Sequence, residues 1–212
     1  MTYLFFDTET TGLINRDYPA AWEGQPHICQ LGAILTDVQG KVKAEMNLLV
    51  KPVGWTIPKA ASDIHGINQA DAERYGLSIK GVLTVFARLA SMAEVLVAHN
   101  LPFDLFMVEI ERERTGVKLD LPPTQACTMA ESSPILQIPP TATMLRSGRT
   151  NYKNPNLQEA YRHFFGRNFE GAHDAMADVR ACKEVFFRLR SPGTPDADAR
   201  AARDPESKGV AA

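Results

Sequence analysis

Short apolar runs alternate with amphipathic stretches along this chain, and the two periodicities separate strands from helices. An apolar run rich in β-formers at 2–6 reads as a buried strand ending on an acidic pair. Similar runs at 28–36 and 42–50 flank Val38-Gln39-Gly40-Lys41, a hairpin turn, so the first part reads as an antiparallel meander. Short helices are expected at 58–64 and 69–75, on either side of His65-Gly66-Ile67. Residues 78–93 carry Ile79, Val82, Leu83, Phe86, Leu89 and Ala90 at helical spacing. The run 94–98 is another buried strand, leading directly into His99-Asn100. A helix at 103–114 places Phe103, Phe106, Met107 and Ile110 on one stripe, and 124–129 reads as a last short strand.

The stretch 131–156 lacks a clear period and is rich in Ser and Pro, so it reads as a long irregular segment. Helices at 157–165 and 174–189 close the pattern, the latter with Val179, Cys182, Phe186 and Leu189 at core spacing. A meander followed by alternating helices and strands predicts an α/β domain with a mixed sheet over residues 1–190. From 191 to 212 large apolar side chains almost vanish, so burial cannot repay ordering and a disordered tail is expected.

Composition narrows the picture in two respects. The 212 residues are 44% hydrophobic, enough for one full core, while the net charge of −2 provides no global basic field for nucleic acid. Divalent metals can supply positive charge locally instead. Cys29, Cys127 and Cys182 are isolated and odd in number, against a disulfide framework or a structural zinc site. No secretory or membrane-spanning stretch is evident, so a cytoplasmic setting without membrane attachment is expected.

The candidate chemistry lies in three separated motifs. Asp7 and Glu9 are two apart on an expected strand, so their carboxylates share a face. Two buried like charges are costly without a cation, although an acidic pair at a strand end can also be simply solvated. Gly12 in the following Thr10-Thr11-Gly12-Leu13 lets the backbone approach a ligand, and Leu13 offers an apolar edge for a base.

Asp104 follows a buried strand at the start of a helix, where a ligand site and a capping carboxylate are both expected. His99 and Asn100 end the preceding strand with polar groups that packing does not require. His173 and Asp178 would be about 140° apart on one helix. They converge if His173 precedes the helix, with Asp174 near its N-cap. A histidine there suits proton abstraction from a water. His65, at a helix break, either touches a substrate or caps a turn; His27 and His163 read as structural. Arg146, Arg149, Lys153, Arg162 and Arg167 form either a phosphate-contacting strip or a solvated face.

Asp-x-Glu-x-Thr-Gly-Leu, His-Asn-x-x-Phe-Asp and His-x-x-x-x-Asp, in this order, resemble the motifs of the DEDDh (DnaQ-like) 3′→5′ exonucleases. The resemblance covers roughly residues 2–189 and implies a ribonuclease-H-like fold, a central mixed β-sheet flanked by helices. It also implies two Mg²⁺ or Mn²⁺ ions held by Asp7, Glu9, Asp104 and Asp178, with His173 as general base. By the same resemblance, Thr10 to Leu13 would hold the 3′-terminal nucleotide, Phe103 would back its sugar or base, and His65 would line its pocket. His99 and Asn100 join the substrate-binding set.

The implied reaction releases nucleoside 5′-monophosphates from single-stranded or frayed ends, in a proofreading or end-trimming role. Thr8, Thr10 and Thr11 resemble the DNA-directed branch more than the exoribonuclease branch, which is the alternative. A non-catalytic nucleic-acid-binding module is the reading from another class. No segment after Ser191 resembles a sliding-clamp or polymerase-binding peptide, and the sequence singles out neither a polymerase or repair partner nor an oligomeric state.

Overall fold

The computed structural model describes residues 1–191, so the expected tail lies, beyond Ser191, outside the described residues. A five-stranded mixed sheet in the order β3-β2-β1-β4-β5 forms the centre. It comprises β1 (Thr2–Thr10), β2 (Ile28–Asp37), β3 (Val42–Leu49), β4 (Val95–Ala98) and β5 (Thr124–Cys127). The meander of β1, β2 and β3 is antiparallel, whereas β4 runs parallel to both β1 and β5. The expected mixed sheet flanked by helices is therefore present.

Alternation along β1 divides the core into two layers. Leu4 and Phe6 face α3 (Ile79–Ala90) and α4 (Leu101–Thr115), packing with Val82, Phe86, Met107 and Ile110. Tyr3 and Phe5 face α7 (Leu157–Phe165) and α8 (Ala175–Arg190), where Phe5 meets Phe186 edge-on at 5.2 Å. All three of Leu4, Phe5 and Phe6 are fully buried, so one strand anchors both layers. The small helices α1 (Lys59–His65) and α2 (Gln69–Tyr75) form a third cluster around Ile57, Ala61, Ile67 and Ala72.

Three boundaries differ from the sequence reading. Strand β1 continues past residue 6 because Asp7, Thr8 and Glu9 keep their ladder with Gly32, Leu31 and Gln30. A register shift between Glu9 and Thr10 then bends its end, a frequent device beside functional sites. Helix α4 begins at Leu101, with Asn100 in the left-handed conformation (φ 67°) and Pro102 in the tolerant first turn.

The stretch 131–156 is not wholly irregular, since it contains the end of α5 (Thr128–Leu136) and α6 (Ala142–Arg146). Thr128 thus opens a helix instead of prolonging β5. Pro134 lies inside α5, where its missing N–H removes one i→i−4 bond that packing must offset. An ion pair from Arg190 to Glu131 at 2.9 Å and burial of Thr128 and Ser132 hold that helix in place.

Gly32 is required by close approach. A Cβ there would lie 2.9 Å from the carbonyl carbon of Ala175 and 3.1 Å from the Met176 nitrogen, at the start of α8. Gly32→Ala must push α8 off the sheet, so we expect a loss of roughly 1–3 kcal/mol. Urea denaturation measures this directly, and an unchanged midpoint would mean that α8 does not rest on β2.

Candidate active site

Tyr3 and Phe5 of β1 pair with Val95 and Val97 of β4, so Asp7 to Thr10 project beyond the end of β4. This is the carboxyl edge of the parallel strands, where α/β sheets place ligands. Asp7 and Glu9 lie on the α8 side of β1, opposite Gly32 and Gln30. Asp104 comes from the other layer, on the first turn of α4, and Asp178 from the first turn of α8. Both layers therefore deliver a carboxylate to one edge.

Each carboxylate is positioned by a local device. The Thr8 backbone N–H (3.1 Å) and hydroxyl (2.8 Å) both donate to Asp104 Oδ1. Gln30 ties α8 to the sheet: its Oε1 accepts from Ala175 N (3.1 Å), and its Nε2 donates to Asp174 Oδ2 (3.1 Å) and Asn47 Oδ1 (2.9 Å). Asp174 caps α8 by accepting from Met176 N and Ala177 N, as its position in the sequence suggested. His173 stands in the turn before the helix with φ 70°, and its N–H donates to Asp178 Oδ2 at 3.4 Å. A left-handed histidine is strained, and such strain concentrates at functional sites. Ligand-capable atoms of Glu9, His173 and Asp178 lie within 4.8 Å of one another.

These groups line a pocket of about 340 Å³ together with Thr8, Leu13, His99, Asn100 and Phe103. A second cavity of about 250 Å³ adjoins it, walled by Thr10, Thr11, Gly12, Leu13, Pro58, Ala60, Ala61, Ile64 and His65. Leu13 is 87% exposed between the two. Among the described residues, nothing beyond its chain neighbours lies within 4 Å of where a Gly12 Cβ would sit, so packing there does not demand glycine.

His65 does cap a turn, since its Nδ1 accepts from Ile67 N at 3.1 Å, while its ring also walls the second cavity. Burial lowers its pKa against the opposing influence of the Thr10 backbone. His99 has both ring nitrogens engaged, with Thr128 Oγ1 at 2.9 Å and the Pro155 carbonyl at 3.1 Å. Burial holds it down to about 4, so it is neutral and fastens the 153–157 segment to the end of β4. His27 stacks on Trp55 at 4.6 Å, away from the pocket lining, in keeping with a structural role.

Sequence reasoning missed Thr8, Gln30 and Gly32 as positioning residues. The one available signal was Gln30, a polar residue inside the apolar run of β2.

Among the described residues, no lysine or arginine lines the acidic pocket. Burial, then repulsion from Asp104 and Asp178, raises the Asp7 carboxyl well above its ordinary range. The same causes push Glu9 up to about 8, and burial pushes Asp104 and Asp178 up to about 7. Asp178 Oδ1 is buried with no hydrogen-bond partner. Uncompensated oxygen donors with an imidazole beside them are the donor set of a hard divalent cation, so the residues present fit such an ion.

The mixed sheet flanked by helices is that of the ribonuclease-H-like fold class. A family model described as exonuclease, named for RNase T, matches residues 4–186, and the chain belongs to this exonuclease family. The DEDDh resemblance carried by its motifs is borne out. A DNA polymerase III subunit epsilon-like protein of Rhodobacter capsulatus is 30% identical over 194 residues, covering 89% of this chain and 24% of that protein. The chain thus spans about a quarter of that relative's length. Among solved structures, exonuclease I of E. coli, zinc-bound and in complex with single-stranded DNA, superposes with a TM-score of 0.67 at 21% identity. That match covers 90% of this chain and 41% of the other. Exonuclease I from Methylocaldum szegediense gives 0.66 at 21% identity over 91% and 41%. At these identities the two structures establish the fold.

The raised carboxyls set a pH dependence. In the unfolded chain they titrate near about 4, so between about pH 4 and 8 the folded state binds more protons. Stability of the metal-free protein should therefore fall as pH rises through that window and level off above it. In EDTA, Asp104→Asn should flatten the slope and stabilise the protein at pH 8. Adding Mg²⁺ or Mn²⁺ to the wild type should raise Tm more at pH 8 than at pH 5. A variant slope equal to that of the wild type would refute the electrostatic account.

Proposed function

We propose that this chain is a metal-dependent 3′→5′ exonuclease that shortens single-stranded or frayed DNA ends to nucleoside 5′-monophosphates. The observation that carries this reading is the convergence of Asp7, Glu9, Asp104, Asp178 and His173 on one pocket that opens beside an apolar cavity. The carboxylates would hold two divalent ions, Mg²⁺ or Mn²⁺. When bound, such a pair offsets their charge and stabilises the attacking and leaving oxygens of an in-line displacement.

The chain's own residues do the rest. His173, exposed in its turn, takes the proton of the attacking water at a ring nitrogen. The water oxygen bonds to phosphorus, the bond to the 3′ oxygen of the preceding sugar breaks, and that oxygen leaves as a hydroxyl once protonated. The terminal nucleoside sits in the apolar cavity, its base against Leu13 and Ile64, with Gly12 free to approach its backbone. His65 walls the far side, and Phe103 backs the sugar. A catalytic pocket with no cationic side chain of its own suits a reaction whose positive charge arrives with the metal.

DNA is favoured over RNA by the threonines of the first motif and by the likeness to E. coli exonuclease I, whose structure is a complex with single-stranded DNA. An exoribonuclease of the same family is the second reading, because its acidic site would have the same residues.

The deciding experiment digests 5′-labelled single-stranded DNA and RNA with Mg²⁺, Mn²⁺ or EDTA and resolves the products by length. A metal-dependent ladder that shortens DNA faster than RNA is expected. Faster loss of RNA selects the second reading, and cleavage of a closed circular strand would overturn the exonuclease reading. Asp7→Ala should abolish cleavage in a folded protein. His173→Ala should lower turnover by roughly 10²–10⁴-fold and alter the pH–rate profile; an unchanged profile would remove the histidine from its role.

A further inference from the structure

A third cavity, of about 340 Å³, continues the two already described. It shares His99 and Asn100 with the acidic pocket, and is completed by Met129, Lys153, Asn154, Pro155, Asn156 and Leu157. The apolar cavity shares Glu9 and Leu13 with the acidic pocket, and has no residue in common with the third. The carboxylates therefore lie between the two, in the middle of a groove. A strand whose terminal nucleoside fills the apolar end, with its phosphodiester at the carboxylates, must leave along the third cavity.

We propose that the third cavity is the subsite for the nucleotide upstream of the scissile bond, with Lys153 contacting that nucleotide's phosphate. This inference rests on the exonuclease reading. Charge distribution carries it. Among the described residues, Lys153 is the one lysine or arginine that lines any of the three cavities. It sits beyond the carboxylates, where a strand that has passed their negative field still carries a phosphate.

Lys153 Nζ now donates to both Glu159 oxygens, Oε1 at 2.6 Å and Oε2 at 2.5 Å. Glu159 does not depend on those bonds alone, because its Oε2 also accepts from Asn156 N (2.8 Å) in the capping box of α7 and the group lies within the field of Arg162. Lys153 can turn to a phosphate without leaving a bare carboxylate behind. Met129 and Pro155 give the wall an apolar edge for a sugar or base.

The cavity is held rigidly enough to act as a site. Its His99 bonds the Pro155 carbonyl at 3.1 Å, and Lys153 N donates to the Ile138 carbonyl at 2.9 Å. The segment is thus tied both to the end of β4 and to the chain following α5. Of the basic residues that the sequence offered as a phosphate strip, the groove selects Lys153. Arg162 instead bonds Asn168 at 2.8 Å, and Arg167 lies over the Tyr161 ring at 5.7 Å.

The test compares two substrates on the full chain. The p-nitrophenyl ester of thymidine 5′-monophosphate occupies the apolar and acidic pockets but has no upstream phosphate, whereas a single-stranded oligodeoxynucleotide has one. Lys153→Gln should leave kcat/KM for the ester unchanged and raise KM for the oligonucleotide about tenfold, the weight of one charge-assisted contact. Its dependence of log KM on log salt should lose about 0.7 of slope. Lys153→Arg should restore both, and ester hydrolysis reports that each variant is folded.

Equal losses on both substrates would assign Lys153 a purely structural role and overturn the subsite, as would no loss on either. A wild-type protein that hydrolyses both substrates, with a Lys153→Gln variant that does not discriminate between them, fails this inference alone. One that cleaves neither substrate fails the exonuclease reading, and the subsite with it.

Discussion

Mutual repulsion among Asp7, Glu9, Asp104 and Asp178 is the constraint around which the rest of the structure is arranged. Each carboxyl is pushed toward its protonated form by burial, and among the described residues no lysine or arginine lines their pocket. Left to itself such an edge would splay, because separating like charges and wetting them both lower the energy. It is held by what lies behind it. Leu4, Phe5 and Phe6 are fully buried directly upstream of Asp7, so the strand that carries the first two carboxylates also anchors both hydrophobic layers. The strain at the edge is borne by a fully buried segment of the central strand.

The two remaining carboxylates are held by smaller, local devices, and these differ between the layers. Asp104 is restrained through its oxygen, by two donors from Thr8, which also leave it a hydrogen-bonded anion when charged. Asp178 is restrained through its helix. Gly32 lets the α8 backbone touch β2, and Gln30 grips Ala175 N and Asp174 from the strand position opposite Glu9. Asp178 itself is left with a buried, unpartnered oxygen. Asp104 is thus tied at its tip by two short bonds and Asp178 by one long bond of 3.4 Å from His173 N, which leaves Asp178 freer to adjust. The left-handed turn at His173, next to Gly171 at φ 76°, keeps the imidazole outside the helix and beside that freer carboxylate.

Much of this was legible in the sequence, for a physical reason. Strands and long helices announce themselves by local periodicity, and the acidic motifs sit at strand ends and helix starts where the pattern breaks. The convergence of His173 with Asp178 followed from helix geometry alone, once the histidine was placed outside the helix. What stayed hidden depends on distant pairing. The polar Asp7 to Thr10 stretch ends the apolar pattern, yet the strand continues because β2 goes on pairing with it. In α5, Ser and Pro mask a helix that is stabilised by Arg190, and Arg190 is itself held 3.4 Å above the Phe186 ring. Gln30 reads as one polar interruption until the register sets it opposite Glu9.

Global charge was the least informative quantity, and the groove explains why. A net charge of −2 argues against a nucleic-acid enzyme only if affinity must come from a broad electrostatic surface. An enzyme that grips a strand end needs little of that. On the proposed reading, apolar contact holds the terminal base, metal charge acts where the bond breaks, and one lysine serves the phosphate beyond. A broad basic surface would also favour binding along the interior of strands, where an end-specific enzyme has no use for it. Confining the positive charge to the groove favours ends over interiors, and near-neutral composition is then what such an enzyme should show.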